Sequence, residues 1–192
     1  MVSQKRQRTF SEAEYLLIEE QAAFKSEFVN GRIYAMAGGT PEHSHLAANI
    51  IASMVTQLKG KPCRVFTSDL RVKVRPTSLL TYPDVTVLCG TPLYTGNNLL
   101  NPTVLFEVLS PSTEAEDRGF RFEHFKQTAS LQHYILVAQD RPHVECFSRK
   151  EDGTWPRQIV EGRDAELMLP ALDCQLSLAE VYDQVEFPTT PG

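Results

Sequence analysis

Apolar positions follow two rhythms along this chain. Between Pro41 and Leu58, the residues Leu46, Ile50, Ile51, Met54, Val55 and Leu58 recur at three- and four-residue spacing. That spacing predicts an amphipathic helix, ended by Gly60 and Pro62. "TFSEAEYLLIEE" predicts a shorter helix that buries Tyr15 and Leu16, with Ile18 as a further candidate. Two capping-box spacings stand at its start, Thr9 before Glu12 and Ser11 before Glu14. "SEFVNGRIYAMAGG" then reads as two short strands joined at Asn30-Gly31, the strongest two-residue hairpin signal.

The second rhythm is that of strands. "CRVFTSDLRVKVRP" predicts a bent strand or hairpin arm, and "TYPDVTVLCG" and "VLFEVLSPST" predict two buried strands separated by a polar loop around "PLYTGNN". Cap formers from Ser110 to Thr113, with Thr113 three residues before Glu116, open another helix. Its apolar stripe is Ala115, Phe122, Phe125 and Ala129, weakened by Gly119. "HYILVAQ" is a buried strand, "HVECFSRK" an alternating one, and "TWPRQIVEG" its partner across Asp152-Gly153. A last helix, "SLAEVYDQ", closes the chain. This order predicts an α/β protein of the α+β kind, a sandwich with a mixed central sheet flanked by helices.

The length of 192 residues suits one domain, expected over residues 10–186 between a basic arm (1–9) and a tail (187–192). No apolar run approaches the roughly 20 residues of a membrane helix, and "MVSQKRQRTF" has no apolar core behind its charges. Cys63, Cys89, Cys146 and Cys174 are widely spaced, with no C-x-x-C pair and no histidine at zinc spacing. The expectation is free thiols, no structural zinc and a cytoplasmic location. A net charge of −5 gives no global attraction to nucleic acid, so any such binding needs a local basic face.

Two residues break the strand pattern. Asp84 stands at the mouth of one buried strand, and Glu107 stands inside the next, between Phe106 and Val108. Alternation puts Asp84, Thr86 and Leu88 on one face, and puts Glu107 with Leu105 and Leu109. A desolvated carboxylate needs a cation, a donor or a proton. Singly, Asp84 would cap the turn after Pro83 and Glu107 would pair with an arginine. On neighbouring strands the two converge into the oxygen site that Mg²⁺ or Mn²⁺ prefers. Metal-assisted attack of water on phosphorus is the chemistry such a site offers.

These segments in order resemble the PD-(D/E)XK nuclease superfamily, and more closely the bacterial Uma-type family of "putative restriction endonucleases". The resemblance runs from Phe10 to Tyr182, through "SEFVNGRIYAMAGGTPEHS", "CRVFTSDLRVKV", "YPDVTVLC", "LFEVLSPSTEAEDRGFRFEHF" and "YILVAQDRPHVE". It implies a restriction-endonuclease-like fold, a Mg²⁺ (or Mn²⁺) cofactor held by Asp84 and Glu107, Glu27 as a further acidic site residue, and DNA as partner. The superfamily places a lysine two residues after the glutamate, where this chain has Leu109. The family supplies it from the following helix, where the matching position is Arg121. Arginine can stabilise charge on phosphorus but cannot act as a base.

Arg71, Lys73 and Arg75 alternate with Val72 and Val74. They read either as a phosphate-tracking wall or as a solvated strand face. Arg118 joins Arg121 behind a helix N-terminus, a natural phosphate position. His43 and His45 flank Ser44 at a helix start with no third metal ligand beside them, and read as first-turn polar contacts. Ser110 and Ser112 sit at capping positions. The sequence thus predicts a Mg²⁺-dependent endodeoxyribonuclease, acting as a homodimer away from membranes. The competing reading is a non-catalytic nucleic-acid-binding or regulatory protein that retains the nuclease fold.

Overall fold

The computed structural model describes residues 8–36 and 38–187, so most of the expected arm and tail lies outside the described residues. Helix α1 (Glu12–Gln21) uses the second of the two capping boxes. The Glu14 N–H donates to Ser11 Oγ (3.2 Å), and the Ser11 N–H donates to Glu14 Oε2 (2.7 Å). Strands β1 (Ser26–Val29) and β2 (Arg32–Ala35) form the expected hairpin. Its turn residues Asn30 and Gly31 both take positive φ (49° and 79°), the backbone that Asn-Gly supplies at least cost. In α2 (Pro41–Gln57), Thr40 caps the first turn by accepting the His43 N–H (3.2 Å), and Pro41 opens the helix, where its missing N–H costs nothing.

The next segment is not one bent strand. β3 (Cys63–Thr67) and β4 (Arg71–Val74) enter different sheets, and so do β5 (Leu79–Thr81) and β6 (Val85–Cys89). Tyr82, Pro83 and Asp84 are therefore the step from one sheet to the other. The polar loop holds two short strands, β7 (Tyr94–Thr95) and β8 (Asn98–Leu99), before β9 (Val104–Val108). The helix that follows is broken into α3 (Glu114–Glu116), a five-residue π turn (Asp117–Arg121) and α4 (Phe122–Phe125). Thr113 makes no capping bond, and Ala115 and Ala129 are exposed, so only the Phe122 and Phe125 half of the predicted stripe is buried. β10 (His133–Val137), β11 (His143–Ser148) and β12 (Arg157–Glu161) match the sequence expectation. The hairpin of β13 (Glu166–Leu169) and β14 (Cys174–Ser177), just before α5 (Leu178–Val181), does not appear in it.

The α+β class is as expected, but β1 to β12 divide between two six-stranded mixed sheets, ordered β2-β1-β5-β4-β8-β7 and β12-β11-β10-β9-β6-β3, and β13 pairs with β14 apart from both. One core lies under α2, where Leu46, Ile50 and Met54 pack on Val85, Phe106, Ile135 and Tyr182. The other joins Val72 and Leu79 of the first sheet to Leu105, Tyr134 and Leu136 of the second and to Phe122 and Phe125 of the broken helix. Strand alternation sends Phe106 and Val108 into the first core, so Glu107 stands on the face of the second. Among the described residues no helix is long and apolar enough to cross a membrane.

One expectation is overturned outright. Cys63 and Cys89 are joined in a disulfide, while Cys146 and Cys174 are free. Antiparallel pairing of β3 with β6 sets the two cysteines directly opposite each other. Spacing along the chain could not reveal that, because the partners are 26 residues apart and meet only through strand register.

Candidate active site

Antiparallel pairing of β6 with β9 sets Val85 opposite Phe106, which carries Asp84 to Glu107 at the strand mouth. The Asp84 N–H donates to Glu107 Oε2 (3.3 Å), and the Val108 N–H donates to Asp84 Oδ2 (2.7 Å). Glu107 is 3% exposed, and its Oε1 is buried with no hydrogen-bond partner among the described residues. Burial first, then the charges of Asp117 and Asp84, push the Glu107 carboxyl well above its ordinary range, with Arg121 opposing. An orphaned, desolvated carboxylate oxygen beside a second carboxylate calls for a proton or a cation.

Glu27 reaches the same region from β1. Thr81 Oγ1, at the end of β5, donates to Glu27 Oε1, and Arg121 Nη2 lies 2.8 Å from that oxygen. Arg121 Nη1 lies 2.6 Å from Asp117 Oδ1. Both Asp117 and Arg121 are buried, and both belong to the π turn, whose wider coil keeps the two on the inward side. Burial disfavours the guanidinium charge, but the surrounding Glu107, Glu27 and Asp117 outweigh it and raise the Arg121 pKa. Tyr134 donates its hydroxyl to the Asp117 carbonyl (3.1 Å) and so ties the turn to β10.

His43 arrives from the first turn of α2. Its Nε2 lies 3.1 Å from Asp84 Oδ2. That hydrogen bond raises the imidazole pKa against the opposing effect of burial. The first-turn contact expected of His43 thus reaches a residue on another element. His45 instead bonds the Asp183 carbonyl (3.0 Å). His43, Asp117, Thr81 and Tyr134 were not among the expected site residues. Asp117 carried a signal, a carboxylate one helical turn before Arg121. For the other three, the partners are set by the tertiary fold alone.

The predicted row of basic residues does not form as an open wall. Arg71 is buried, its Nε donating to Asn98 Oδ1 (2.5 Å) and its Nη1 to the Tyr82 hydroxyl (3.2 Å). Lys73 pairs with Glu12 (2.5 Å). Arg75 lies beyond the strand in a 3-10 turn and is exposed. Arg118 pairs with Glu114 (2.8 Å) and with the buried Glu145. A cleft of about 590 Å³ is lined among others by Thr40, Leu109, Ser110, Arg118 and Gln139, and neither Asp84 nor Glu107 lines it. It sits past the C-terminal ends of the parallel strands β9 and β10, the usual place for a ligand crevice in such sheets.

A model of the Uma2 family, described as "Putative restriction endonuclease", matches residues 12–180. The chain belongs to the Uma2 family. Two uncharacterized proteins of Synechocystis sp. are similar over most of their length. One, slr1290, is 36% identical over 178 residues (92% of this chain, 93% of the relative), and the other, sll1609, is 33% identical over 158 residues (81% and 89%). A crystal structure of a "putative nuclease belonging to DUF820" from Anabaena variabilis superposes with a TM-score of 0.74 at 18% identity. The match covers 91% of this chain and 98% of that one. The Uma2 chain therefore has the fold of that structure, and the restriction-endonuclease-like class expected from sequence holds.

The fit of this Uma2 site to a divalent cation is partial. Among the described residues no three His, Cys, Asp or Glu side chains gather as a metal-binding group. Asp84 and Glu107 supply hard oxygen donors, and the free Oε1 of Glu107 is the atom such an ion would satisfy. Glu27 is held instead by Arg121 and Thr81.

Proposed function

We propose that this protein is a Mg²⁺-dependent endodeoxyribonuclease whose Asp84 and Glu107 hold the ion. The observation that carries the reading is Glu107 Oε1, buried beside Asp84 with no hydrogen-bond partner among the described residues, while burial and the neighbouring acids push the carboxyl away from ionisation against the charge of Arg121. When bound, Mg²⁺ supplies a Lewis acid and a water of lowered pKa. The Val108 N–H fixes one oxygen of Asp84. Arg121 provides a permanent positive charge beside the acids, and Glu27 with Asp117 holds its guanidinium in place. Arg121 cannot take a proton from water, so its part is electrostatic. The family description supports a nucleic acid as substrate. The same reading has the protein acting as a homodimer, which light scattering on the purified protein checks.

The test is metal binding before turnover. Mn²⁺ or Mg²⁺ is expected to raise the melting temperature of the wild type by mass action. Asp84→Asn and Glu107→Gln are each expected to abolish that rise, and to abolish Mg²⁺-dependent cleavage of plasmid DNA. Variants that respond to metal like the wild type would move the ion elsewhere. A wild type that binds metal but cuts no DNA or RNA would favour the non-catalytic reading, which gains support from Leu109 at the superfamily's lysine position and from the pairing of both terminal nitrogens of Arg121 with Glu27 and Asp117.

A further inference from the structure

Asp84 is gripped from two sides at one oxygen. Its Oδ2 accepts the Val108 N–H (2.7 Å) and lies 3.1 Å from His43 Nε2. A carboxylate oxygen only accepts, so the imidazole must donate Nε2–H, whichever charge state it holds. The ring itself is held in place. The Thr40 cap fixes the backbone of His43, and Gly39 immediately precedes that cap. A Cβ on Gly39 would stand 2.9 Å from His43 Nδ1 and 3.1 Å from Cγ, so the ring packs close against the bare backbone there. The backbone at Gly39 needs no left-handed conformation, which leaves room for the ring as the reason a side chain would be unwelcome there.

We infer that His43 is a positioning residue, which holds the Asp84 carboxylate in orientation through Oδ2, and that Gly39 is the space it requires. This inference rests on the metal reading above. Hydrogen bonds behind a ligand typically govern 10- to 100-fold in metal affinity, because they fix the carboxylate before the ion arrives. His43 is not itself counted as a ligand. Its Nε2 is turned to Asp84, and no third donor gathers with Asp84 and Glu107 among the described residues.

Calorimetric titration of the purified wild type with Mn²⁺ supplies the readout, with melting of the metal-free proteins alongside. His43→Ala is expected to weaken Mn²⁺ by about 10- to 100-fold, with little change in the metal-free melting temperature. His43→Gln keeps an N–H donor within reach and is expected to restore most of the affinity. Gly39→Ala leaves the imidazole in the chain but displaces it, and is expected to weaken Mn²⁺ like His43→Ala. Unchanged affinity in His43→Ala and Gly39→Ala would overturn the inference and leave the metal reading intact. A His43→Gln variant as weak as His43→Ala would overturn the donor role. A wild type that takes up no Mn²⁺ would overturn the metal reading and this inference with it.

Discussion

Arg121 carries more structural weight than its place in a sequence motif suggests. Its side chain is 9% exposed and bridges Glu27 and Asp117, whose side chains are 11% and 2% exposed. Removing it strands two buried carboxylates, a change that costs about 3 to 5 kcal/mol. Urea denaturation of Arg121→Ala is therefore expected to show a loss of that size, along with any loss of cleavage. Arg121→Lys keeps the charge but gives up the forked geometry. It is expected to be milder in stability and to retain or raise metal-dependent cleavage, since lysine is the superfamily's residue. An Arg121→Ala protein as stable as the wild type would mean the pairs do not hold in solution. Glu107 gives the opposite stability effect. Its folded pKa is raised above the ordinary 4.5 by burial and by Asp117 and Asp84, so the folded state holds the proton more tightly than the unfolded chain. The stability this contributes is complete below about pH 4.5 and is lost as pH rises toward the folded value, by at most about 1.4 kcal/mol per pH unit. Glu107→Gln removes the titration. Without metal it is expected to equal the wild type in acid and exceed it increasingly toward neutral pH. A variant less stable at every pH would show that the carboxylate is paired after all.

The elements that sequence predicted well are those whose signals are local. The Asn30-Gly31 turn and most of the apolar stripe of α2 arise from neighbours a few residues apart and are found in place, although Val55 of that stripe is exposed; β11 does not alternate as expected, since its first four residues are all buried. Misreadings fall where long-range pairing decides. "CRVFTSDLRVKVRP" looks continuous, but β3 pairs with β6 and β4 with β5, so the chain changes sheets between them. The helix after β9 was legible in its phenylalanines, whereas the Thr113 cap makes no capping bond and the π turn was not legible. Its cause is the match between Asp117 and Arg121 on one side and Glu27 and Tyr134 on other strands. The acidic pair was legible because a carboxylate inside an apolar strand is an anomaly at any distance. Its surroundings were not, because His43 and Thr81 become partners of Asp84 and Glu27 only once both sheets and α2 are assembled.

At the scale of the whole molecule the question is how a chain of net charge −5 would meet DNA. The Cys63–Cys89 bridge bears on the compartment, since disulfides persist in oxidising surroundings, but it ties β3 to the end of β6 remote from Asp84 and leaves the site's charges alone. Of the four cations expected to track phosphates, Arg71 is buried, Lys73 is paired with Glu12, and Arg118 is paired with Glu114 and Glu145. Arg75 is the exposed one. Each lysine or arginine that meets a phosphate of duplex DNA releases counterions and contributes about −0.9 to the slope of log affinity against log salt. Binding of the structure as it stands is therefore expected to be only weakly salt-dependent, with a slope no steeper than about −2. Most of the affinity would then depend on the ion at Asp84 and Glu107. Fluorescence anisotropy of a labelled duplex, titrated across salt concentrations in non-cleaving Ca²⁺, measures this directly. Arg75→Ala is expected to flatten the slope by nearly one phosphate's worth, while Arg71→Ala should lower stability and leave the slope unchanged. A wild-type slope of about −3 would instead mean that Lys73 and Arg118 leave their carboxylates for phosphate and join Arg75, and that the closed ion pairs are the DNA-free state of a basic face.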